Sequence, residues 1–192
     1  MTQYGFYYNN LNCTGCRTCQ VACKDKNDLD PGILFRRVST YETGEYPNPG
    51  YYHLSISCNH CADPACVKAC PIEANYKDDE TGIVMHDDEI CIGCQACQSA
   101  CPYGHPQYLE AESIVHKCMM CHDLILEGGR PACVDACPMR CLEWGDIDEL
   151  AAKHPEAVND IAVLPDSSVT TPSMIMTARP AAFEDNPLLR SI

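Results

Sequence analysis

The sequence predicts an α+β protein of short strands and helices that is organised by its cysteines rather than by a large apolar core. Three observations support this prediction. Cysteine accounts for 17 of the 192 residues, a fraction typical of chains that disulfides or metals hold together. Only 3 Phe and 1 Trp accompany 14 Pro and 11 Gly, so few large side chains are available for a core. The cysteines also recur at fixed spacings, which makes them an internal repeat.

Charge and hydropathy exclude several classes of function. The chain has 13 basic and 27 acidic residues and a net charge of −14, which would repel the phosphates of DNA or RNA. No apolar run approaches the roughly 18 residues that span a bilayer, so we expect no direct membrane insertion. Residues 1–8 lack the basic and apolar regions of a signal peptide. We therefore expect folding in the cytoplasm, with a final site that is cytoplasmic, or membrane-associated or exported through a partner.

Sixteen of the cysteines fall into four sets, and only Cys141 is left over, as a spare thiol for which we expect a packing role. In each set the fourth cysteine follows the third after three intervening residues, and Pro follows the fourth cysteine in sets 2, 3 and 4. Set 1 is Cys13, Cys16, Cys19 and Cys23; set 2 is Cys58, Cys61, Cys66 and Cys70; set 3 is Cys91, Cys94, Cys97 and Cys101; set 4 is Cys118, Cys121, Cys133 and Cys137.

This spacing is typical of bacterial ferredoxins that bind two iron-sulfur clusters. Three cysteines on a tight loop hold one [4Fe-4S] cluster, and the fourth points away and serves a second cluster. Four sets therefore predict four [4Fe-4S] clusters. Gly15 and Gly93 directly precede the second cysteine of sets 1 and 3, where a residue without Cβ can adopt a positive φ and let backbone N–H groups approach sulfur.

Three other metal centres fit parts of the pattern. Zinc sites also use C-x2-C pairs, but they usually join two separated pairs. The segment 118–122 matches the C-x-x-C-H pattern of covalent haem attachment, although Cys133 and Cys137 complete the same set. A Rieske centre needs two histidine ligands, and only His60 lies between suitable cysteines. We expect His60 to be solvated or to lie behind the ligands.

Longer motifs resemble one family. The chain is similar, nearly end to end, to the iron-sulfur (B) subunits of the anaerobic dimethyl sulfoxide reductase type, within the four-cluster ferredoxin-like family that serves molybdopterin oxidoreductases. The motifs are Gln3-Tyr-Gly-Phe6, Cys13-Thr-Gly-Cys16, Ala22-Cys-Lys-Asp25, Phe35-Arg-Arg37, Leu54-Ser-Ile-Ser-Cys-Asn-His-Cys61, Cys91-Ile-Gly-Cys94, Cys101-Pro-Tyr-Gly104 and Gly145-Asp-Ile-Asp-Glu-Leu150.

The resemblance implies how the sets combine into four ligand groups, in the order of a wire. It implies two ferredoxin-like double-cluster modules, one of residues 1–50 and 106–150 and one of residues 51–105 nested inside it, followed by a C-terminal helix end and extended arm in 151–192. Group I is Cys13, Cys16, Cys19 and Cys137; group II is Cys118, Cys121, Cys133 and Cys23; group III is Cys91, Cys94, Cys97 and Cys70; group IV is Cys58, Cys61, Cys66 and Cys101.

The implied function is electron transfer without a catalytic site of its own. The resemblance implies four [4Fe-4S] clusters that carry electrons between a donor, either a membrane anchor with quinol or a soluble carrier, and a large bis-pterin molybdenum or tungsten subunit in anaerobic respiration. Some relatives place Trp at the position of Cys94 and bind a [3Fe-4S] cluster there, so the cysteine favours four cubanes. The alternatives are a stand-alone polyferredoxin, the same type of subunit in a dehydroxylase or formate dehydrogenase complex, and a zinc-stabilised assembly module.

Short elements are predicted between the cysteines. β-branched and aromatic residues between polar turns predict strands, which we expect to form small hairpins around the clusters. Asp146 and Glu149 have the spacing of a capping box, so a helix is predicted from Asp146 to Pro155. The predicted strands are Tyr4–Tyr8, Tyr51–Ser57, Ile83–His86 and Leu142–Trp144, and the other predicted helices are Thr18–Lys26 and His122–Glu127.

The chain changes character from about Pro165 onward. Spaced prolines alternate with polar residues around the apolar run Met174-Ile175-Met176, so this segment cannot fold alone. A disordered tail is one interpretation. We expect instead an extended arm held against this subunit and its catalytic partner.

Overall fold

The computed structural model describes residues 2–191, and within them the protein is a mixed α+β structure with small sheets and short helices. The strands are β1 (Tyr4–Asn9), β2 (Arg37–Thr43), β3 (Gly50–Ile56), β4 (Asn75–Lys77), β5 (Val84–His86), β6 (Gln107–Leu109), β7 (Ile114–His116), β8 (Leu142–Asp146), β9 (Met174–Thr177) and β10 (Leu188–Ser191). The helices are α1 (Thr18–Lys26), α2 (Ala65–Lys68), α3 (Ala96–Ala100), α4 (His122–Leu126), α5 (Ala132–Asp135) and α6 (Ile147–Lys153).

The first sheet joins the two ends of the chain. β1 lies between β8, which runs antiparallel to it, and β9, which runs parallel to it. Phe6 is opposite Trp144 on one side and Met174 on the other. The expectation of a local hairpin is wrong for β1, because both of its partners lie more than a hundred residues away in sequence. β1 is buried on both faces, as is usual for a central strand.

The remaining strands pair antiparallel. β2 lies between β3 and β10, and two small pairs, β4 with β5 and β6 with β7, complete the structure. Close neighbours in sequence form the pairs β2–β3, β4–β5 and β6–β7, so the expected hairpins occur there. The predicted strands coincide to within two residues with β1, β3, β5 and β8, whereas β2, β4, β6, β7, β9 and β10 have no counterpart among them.

Local sequence signals account for the longer helices. α1 has the predicted bounds. Lys24 and Lys26 lie in its last turn, where their positive charges interact favourably with the negative end of the helix dipole. α6 begins after Asp146, whose carboxylate accepts hydrogen bonds from the N–H groups of Asp148 at 2.9 Å and Glu149 at 3.2 Å. This cap satisfies two of the free N–H groups of the first turn, and the helix ends before Pro155.

The principal core combines aromatic residues with cysteines. Phe6, Tyr8 and Tyr52 pack in one cluster with Cys19 and Cys137. The cysteine sets are therefore built into the core and do not lie on an independent surface. Within residues 2–191, every helix is too short or too polar to cross a bilayer.

Residues 165–191 lie along both larger sheets. They contribute β9 to the first sheet and β10 to the second, with 3₁₀ turns at Ser167–Val169 and Pro180–Phe183. Met174, Ile175 and Met176 are buried, and Met176 is 0% exposed. Leu188 and Leu189 of β10 are about half exposed, at 56% and 49%.

Candidate metal centres

The cysteines of group I line one cavity. It is bordered by Cys13, Cys16, Cys19 and Cys137. The first two lie on the loop between β1 and α1, Cys19 is in the first turn of α1, and Cys137 follows α5. The cavity thus brings together residues from opposite ends of the chain. Cys141 borders the same space.

Groups IV and III line two further cavities. One is bordered by the four cysteines of group IV, with His105 and Lys117 also on its wall. The other is bordered by the four cysteines of group III, with Asn75 and His86 on its wall. In both cavities three cysteines come from one set and the fourth from the other.

The cysteines of group II also lie close together. Burial raises the pKa of the Cys23 thiol, and the neighbouring Cys118, Cys133 and Cys121 raise it further. Burial likewise raises the pKa of Cys121 to about 11, with Cys118 and Cys133 as the nearest like charges. Each of the four predicted groups therefore has its members near one another.

The geometry of these sites fits a cluster better than a single ion. Within residues 2–191, no three His, Cys, Asp or Glu side chains converge tightly enough to hold one metal ion. The cysteines of groups I, IV and III instead line cavities, each bordered by four thiols. A four-coordinate zinc site would bring its sulfur atoms around one point at about 2.3 Å from the metal. Thiols around a volume are the donors that a [4Fe-4S] cluster requires.

The loops that carry the cysteines depend on left-handed backbone positions. Gly15 has φ of 68° and Gly93 has φ of 63°, as the sequence predicts. A Cβ on Gly93 would lie 2.2 Å from the carbonyl oxygen of Ser113, and one on Gly15 would lie 2.6 Å from the ring of His53. Glycine is therefore required at both positions for close approach as well as for φ.

Backbone N–H groups of these loops point at the sulfur atoms. The N–H of Gly15 donates to Cys13 Sγ at 3.4 Å, that of Met120 to Cys118 Sγ at 3.3 Å, and that of Cys141 to Cys137 Sγ at 3.3 Å. Such bonds favour the charged sulfur, because an N–H dipole stabilises a nearby negative charge. They are also one of the means by which proteins tune cluster potentials.

Burial raises the pKa of several of these thiols and so favours their protonated form until a metal binds. It raises the pKa of Cys66 to about 11 and raises those of Cys58 and Cys133 as well. Cys16 shows the opposite shift, since hydrogen bonds with Thr18 lower the pKa of this exposed thiol. Metal binding to the buried thiols must therefore release protons.

Contacts between neighbouring groups place them in a row. Cysteines of different groups that lie near each other are Cys19 and Cys133, Cys58 and Cys118, and Cys66 and Cys97. These contacts join group I to group II, group II to group IV, and group IV to group III. The expected order, with group III before group IV, is therefore wrong. Cysteine spacing specifies which residues share a loop but not how the two modules face each other.

The two ends of the row differ from its middle in exposure. Cys16 of group I and Cys94 of group III are exposed, whereas the other fifteen cysteines are buried or half-buried. Exposed apolar side chains flank both ends. Val21, which follows Cys16 in helix α1, is 63% exposed, and Ile92, on the loop that carries Cys94, is 64% exposed.

Two buried cations lie between neighbouring groups. Arg36 is 2% exposed and sits near cysteines of groups I and II. Lys117 is 1% exposed, and its Nζ donates to the carbonyl oxygens of Val84 and Cys118 beside group IV. Nothing in the sequence marks either residue as buried. The sequence features that could draw attention to these two residues are the motif Phe35-Arg-Arg37 and the position of Lys117 directly before Cys118, and neither feature indicates burial.

His60 is fully buried, so the alternative that it is solvated is wrong. Its Nδ1 accepts a hydrogen bond from the N–H of Val84 at 3.2 Å. Burial and the nearby Lys117 hold the pKa of His60 well below its usual value. The ring is therefore neutral near pH 7 and lies behind Cys58 and Cys61.

Cys141 adjoins group I without belonging to a set. It is 2% exposed, its Sγ faces the carbonyl oxygen of Met139 at 3.7 Å, and burial followed by the charge of Cys137 raises its pKa to about 12. Its thiol is therefore a buried neutral group. Its backbone N–H, in contrast, contacts a predicted ligand.

Comparison with known proteins gives one consistent family. The 4Fe-4S dicluster domain family matches residues 50–147, and the 4Fe-4S binding domain family matches residues 10–27. These domains and the cysteine content establish multiple 4Fe-4S clusters as the cofactors. The chain is 46% identical over 183 residues to the B subunit of anaerobic dimethyl sulfoxide reductase from Escherichia coli K12, covering 91% of this chain and 88% of that protein.

Two further relatives extend the comparison. The B subunit of anaerobic dimethyl sulfoxide reductase from Haemophilus influenzae is 44% identical over 185 residues, covering 92% of this chain and 89% of the relative. The B subunit of sulfite dehydrogenase from Allochromatium vinosum is 35% identical over 170 residues, covering 78% of this chain and 71% of the relative. The cysteine-lined cavities, the 4Fe-4S domains and these identities agree. The chain therefore belongs to the family of anaerobic dimethyl sulfoxide reductase B subunits, and it is a non-catalytic, iron-sulfur electron-transfer subunit of an oxidoreductase.

Proposed function

We propose that groups I to IV each hold one [4Fe-4S] cluster, with the sixteen cysteines as ligands. The main support for this proposal is that three cavities are each lined by four cysteines from two sets, in the predicted combinations. The mutual proximity of Cys23, Cys118, Cys121 and Cys133 supports the fourth site. Two sets that exchange their fourth cysteine are the arrangement of a two-cluster ferredoxin.

The same grouping supports a nested domain organisation. Groups III and IV use only cysteines between residues 58 and 101, within the proposed inner module 51–105. Groups I and II combine cysteines before residue 24 with cysteines after residue 117, within the proposed outer module 1–50 and 106–150. The outer module is thus closed by elements on both sides of the inner one.

The row of groups supports a path for electrons through the chain. Each bound cluster supplies reversible uptake of one electron. The thiols hold the sites in the order I, II, IV, III, and most cysteines of the two inner groups are buried, which limits the access of water to the middle of the path. Entry and exit are assigned to the ends marked by Cys16 and Cys94, because these are the two cysteines of the described residues that are exposed, while the others are buried or half-buried.

We infer the partners of this chain from its relatives, which are subunits of a dimethyl sulfoxide reductase and of a sulfite dehydrogenase. For this chain the partner is a large bis-pterin molybdenum or tungsten subunit, and the donor is a membrane anchor with quinol or a soluble carrier. The final location of the chain is then set by these partners. The C-terminal arm, with Leu188 and Leu189 half exposed, is proposed to contact the catalytic subunit.

Anaerobic purification of the tagged chain from its native host tests this function. We expect about sixteen iron atoms per chain, four for each of four clusters, and a much larger copurifying subunit that contains molybdenum or tungsten. Zinc in place of iron would support an assembly module instead. A loaded monomer without a large partner would support a stand-alone polyferredoxin.

A further inference from the structure

Arg36 is a buried cation whose hydrogen-bonding partners are all neutral. One terminal nitrogen donates to the carbonyl oxygen of Ser55 at 3.4 Å and to its Oγ at 3.2 Å, and the other donates to Ser57 Oγ at 2.9 Å. The guanidinium carbon lies 4.8 Å from the centre of the Phe6 ring. Its Nε is buried without a hydrogen-bonding partner. An arginine stays protonated in proteins, so a full positive charge is enclosed here.

Within residues 2–191, no carboxylate balances this charge. The ion pairs formed there involve other residues, and Arg36 belongs to none of them. Burying a charge without a counter-ion is costly, so buried charges in proteins are normally paired or lie beside metal centres. The counter-charge of Arg36 must therefore be sought among the groups around it.

The groups that face Arg36 are cysteines of two different ligand groups. Ser55 connects it to group I, because the Oγ that accepts from Arg36 lies 3.4 Å from Cys19 Sγ. Cys133 and Cys118 of group II are also neighbours of the guanidinium, and Phe35, which directly precedes Arg36, packs in one buried cluster with Cys118.

We propose that Arg36 is a positioning residue that acts as the shared counter-charge of the clusters in groups I and II and raises the reduction potential of both. This inference rests on the proposed ligand groups. Uptake of one electron from a donor changes the charge of such a cluster from about −2 to about −3. A fixed positive charge therefore stabilises the reduced form more than the oxidised form. In a buried site of low dielectric, water screens this difference only weakly.

Redox titration of the intact complex under anaerobic conditions tests the proposal. Dithionite serves as reductant, and EPR follows each cluster. Substitution of the cluster ligands Cys16 and Cys94 assigns the signals to groups I and III. The variant Arg36→Met removes the charge but keeps a long apolar stem, and Arg36→Lys keeps the charge. Arg37→Met is the matched control, because Arg37 is the adjacent arginine but lines a different cavity, beside Tyr41 and Pro102.

We expect the potentials of two clusters, including that of group I, to fall in Arg36→Met. The group III potential should stay in place, as should all four in Arg37→Met. Arg36→Lys should lie closer to the wild type than Arg36→Met does. Unchanged potentials in Arg36→Met, equal shifts of all four, or equal shifts in the Lys and Met variants would overturn the proposal.

Iron content keeps the test decisive if the Met variant assembles poorly. Loss of iron in Arg36→Met with retention in Arg36→Lys supports a counter-charge that the clusters need. Loss in both variants contradicts it, because charge is then not the requirement. A wild-type complex with fewer than four clusters would instead refute the proposed ligand groups, so the two failures are distinguishable.

Discussion

Cys94 is the predicted ligand that is exposed at one end of the row. A cubane that loses one thiolate can lose the iron it held, so Cys94→Ser is expected to convert the group III cluster to [3Fe-4S]. The other three clusters keep all their ligands and should be unchanged. The altered cluster should have a higher potential, because its charge and ligation differ. Anaerobic EPR measures both effects.

The position of group III determines how this variant affects turnover. Electrons should be held at the Cys94 end of the row, and not midway along it as the expected order implied. Turnover with the physiological donor should fall sharply, whereas dyes that reduce the catalytic subunit directly should still support it. Four unchanged [4Fe-4S] signals with normal turnover would falsify this ligand assignment.

Cys141 offers the complementary test, because it borders the group I cavity but is assigned no iron. Cys141→Ala is expected to leave the iron content unchanged, since the substitution preserves the N–H that donates to Cys137. It should cost no more than about 1 to 2 kcal/mol of stability, the range for loss of a small buried group. Iron analysis checks the assignment, and a loss near four atoms per chain would show that Cys141 is a ligand.

At the scale of elements, the loop of set 3 depends on Gly93. In Gly93→Ala the new methyl group would collide with the Ser113 carbonyl at 2.2 Å, in addition to the strain of a φ of 63°. Gly104→Ala is a matched control, because Gly104 has the same φ and open space around its Cβ position. The control carries only the left-handed penalty of about 1 to 2 kcal/mol.

We therefore expect Gly93→Ala to lose the group III cluster and Gly104→Ala to retain all four. Iron content and the EPR signal assigned to group III distinguish the two variants. Equal iron content in both variants would mean that the segment around Ser113 moves to accommodate the new methyl group, so that close packing at Gly93 is not required for the group III cluster.

β9 tests the contribution of the C-terminal arm. Met176 is 0% exposed in the principal core, so Met176→Ala should destabilise the protein by about 2 to 5 kcal/mol. Val169→Ala lies in the same arm at 58% exposure and should change stability by less than about 0.5 kcal/mol. The midpoint of urea unfolding, followed anaerobically by cluster absorbance, measures the difference. Similar midpoints for the two variants would show that β9 packs loosely.

The elements differ in how well local sequence predicts them. α1 and α6 have local signals, such as the cap at Asp146, and their predictions are confirmed. β9 has none, because Met174-Ile175-Met176 is too short to distinguish a strand from other buried segments, and its parallel partner lies near the other end of the chain. The burial of Arg36 has no local sequence signal for a related reason. Charged residues are normally exposed, and burial here depends on contacts with Ser55 and Phe6 that only the fold creates.

At the scale of the whole molecule, cysteines replace much of the apolar core. The main clusters of buried residues include cysteines of every ligand group. Metal binding should therefore supply a large part of the free energy of folding, together with the interface to the partner. Chelation of iron from the isolated chain should abolish cooperative unfolding, measured by calorimetry and by protease sensitivity. A soluble apo-protein that unfolds cooperatively would contradict this expectation.

The central position of β1 also sets an order for the chain as it leaves the ribosome. β1 is made first, but its neighbours β8 and β9 follow only at residues 142–146 and 174–177. The strand that carries Phe6 and Tyr8 therefore lacks its neighbouring strands during most of synthesis. Its apolar side chains are exposed in that period, and exposed apolar surface favours aggregation. The eight cysteines between residues 58 and 101 have all been synthesised before β8 and β9. The segment that contains these cysteines is therefore available to fold before the first sheet, which closes only after β9 has been synthesised.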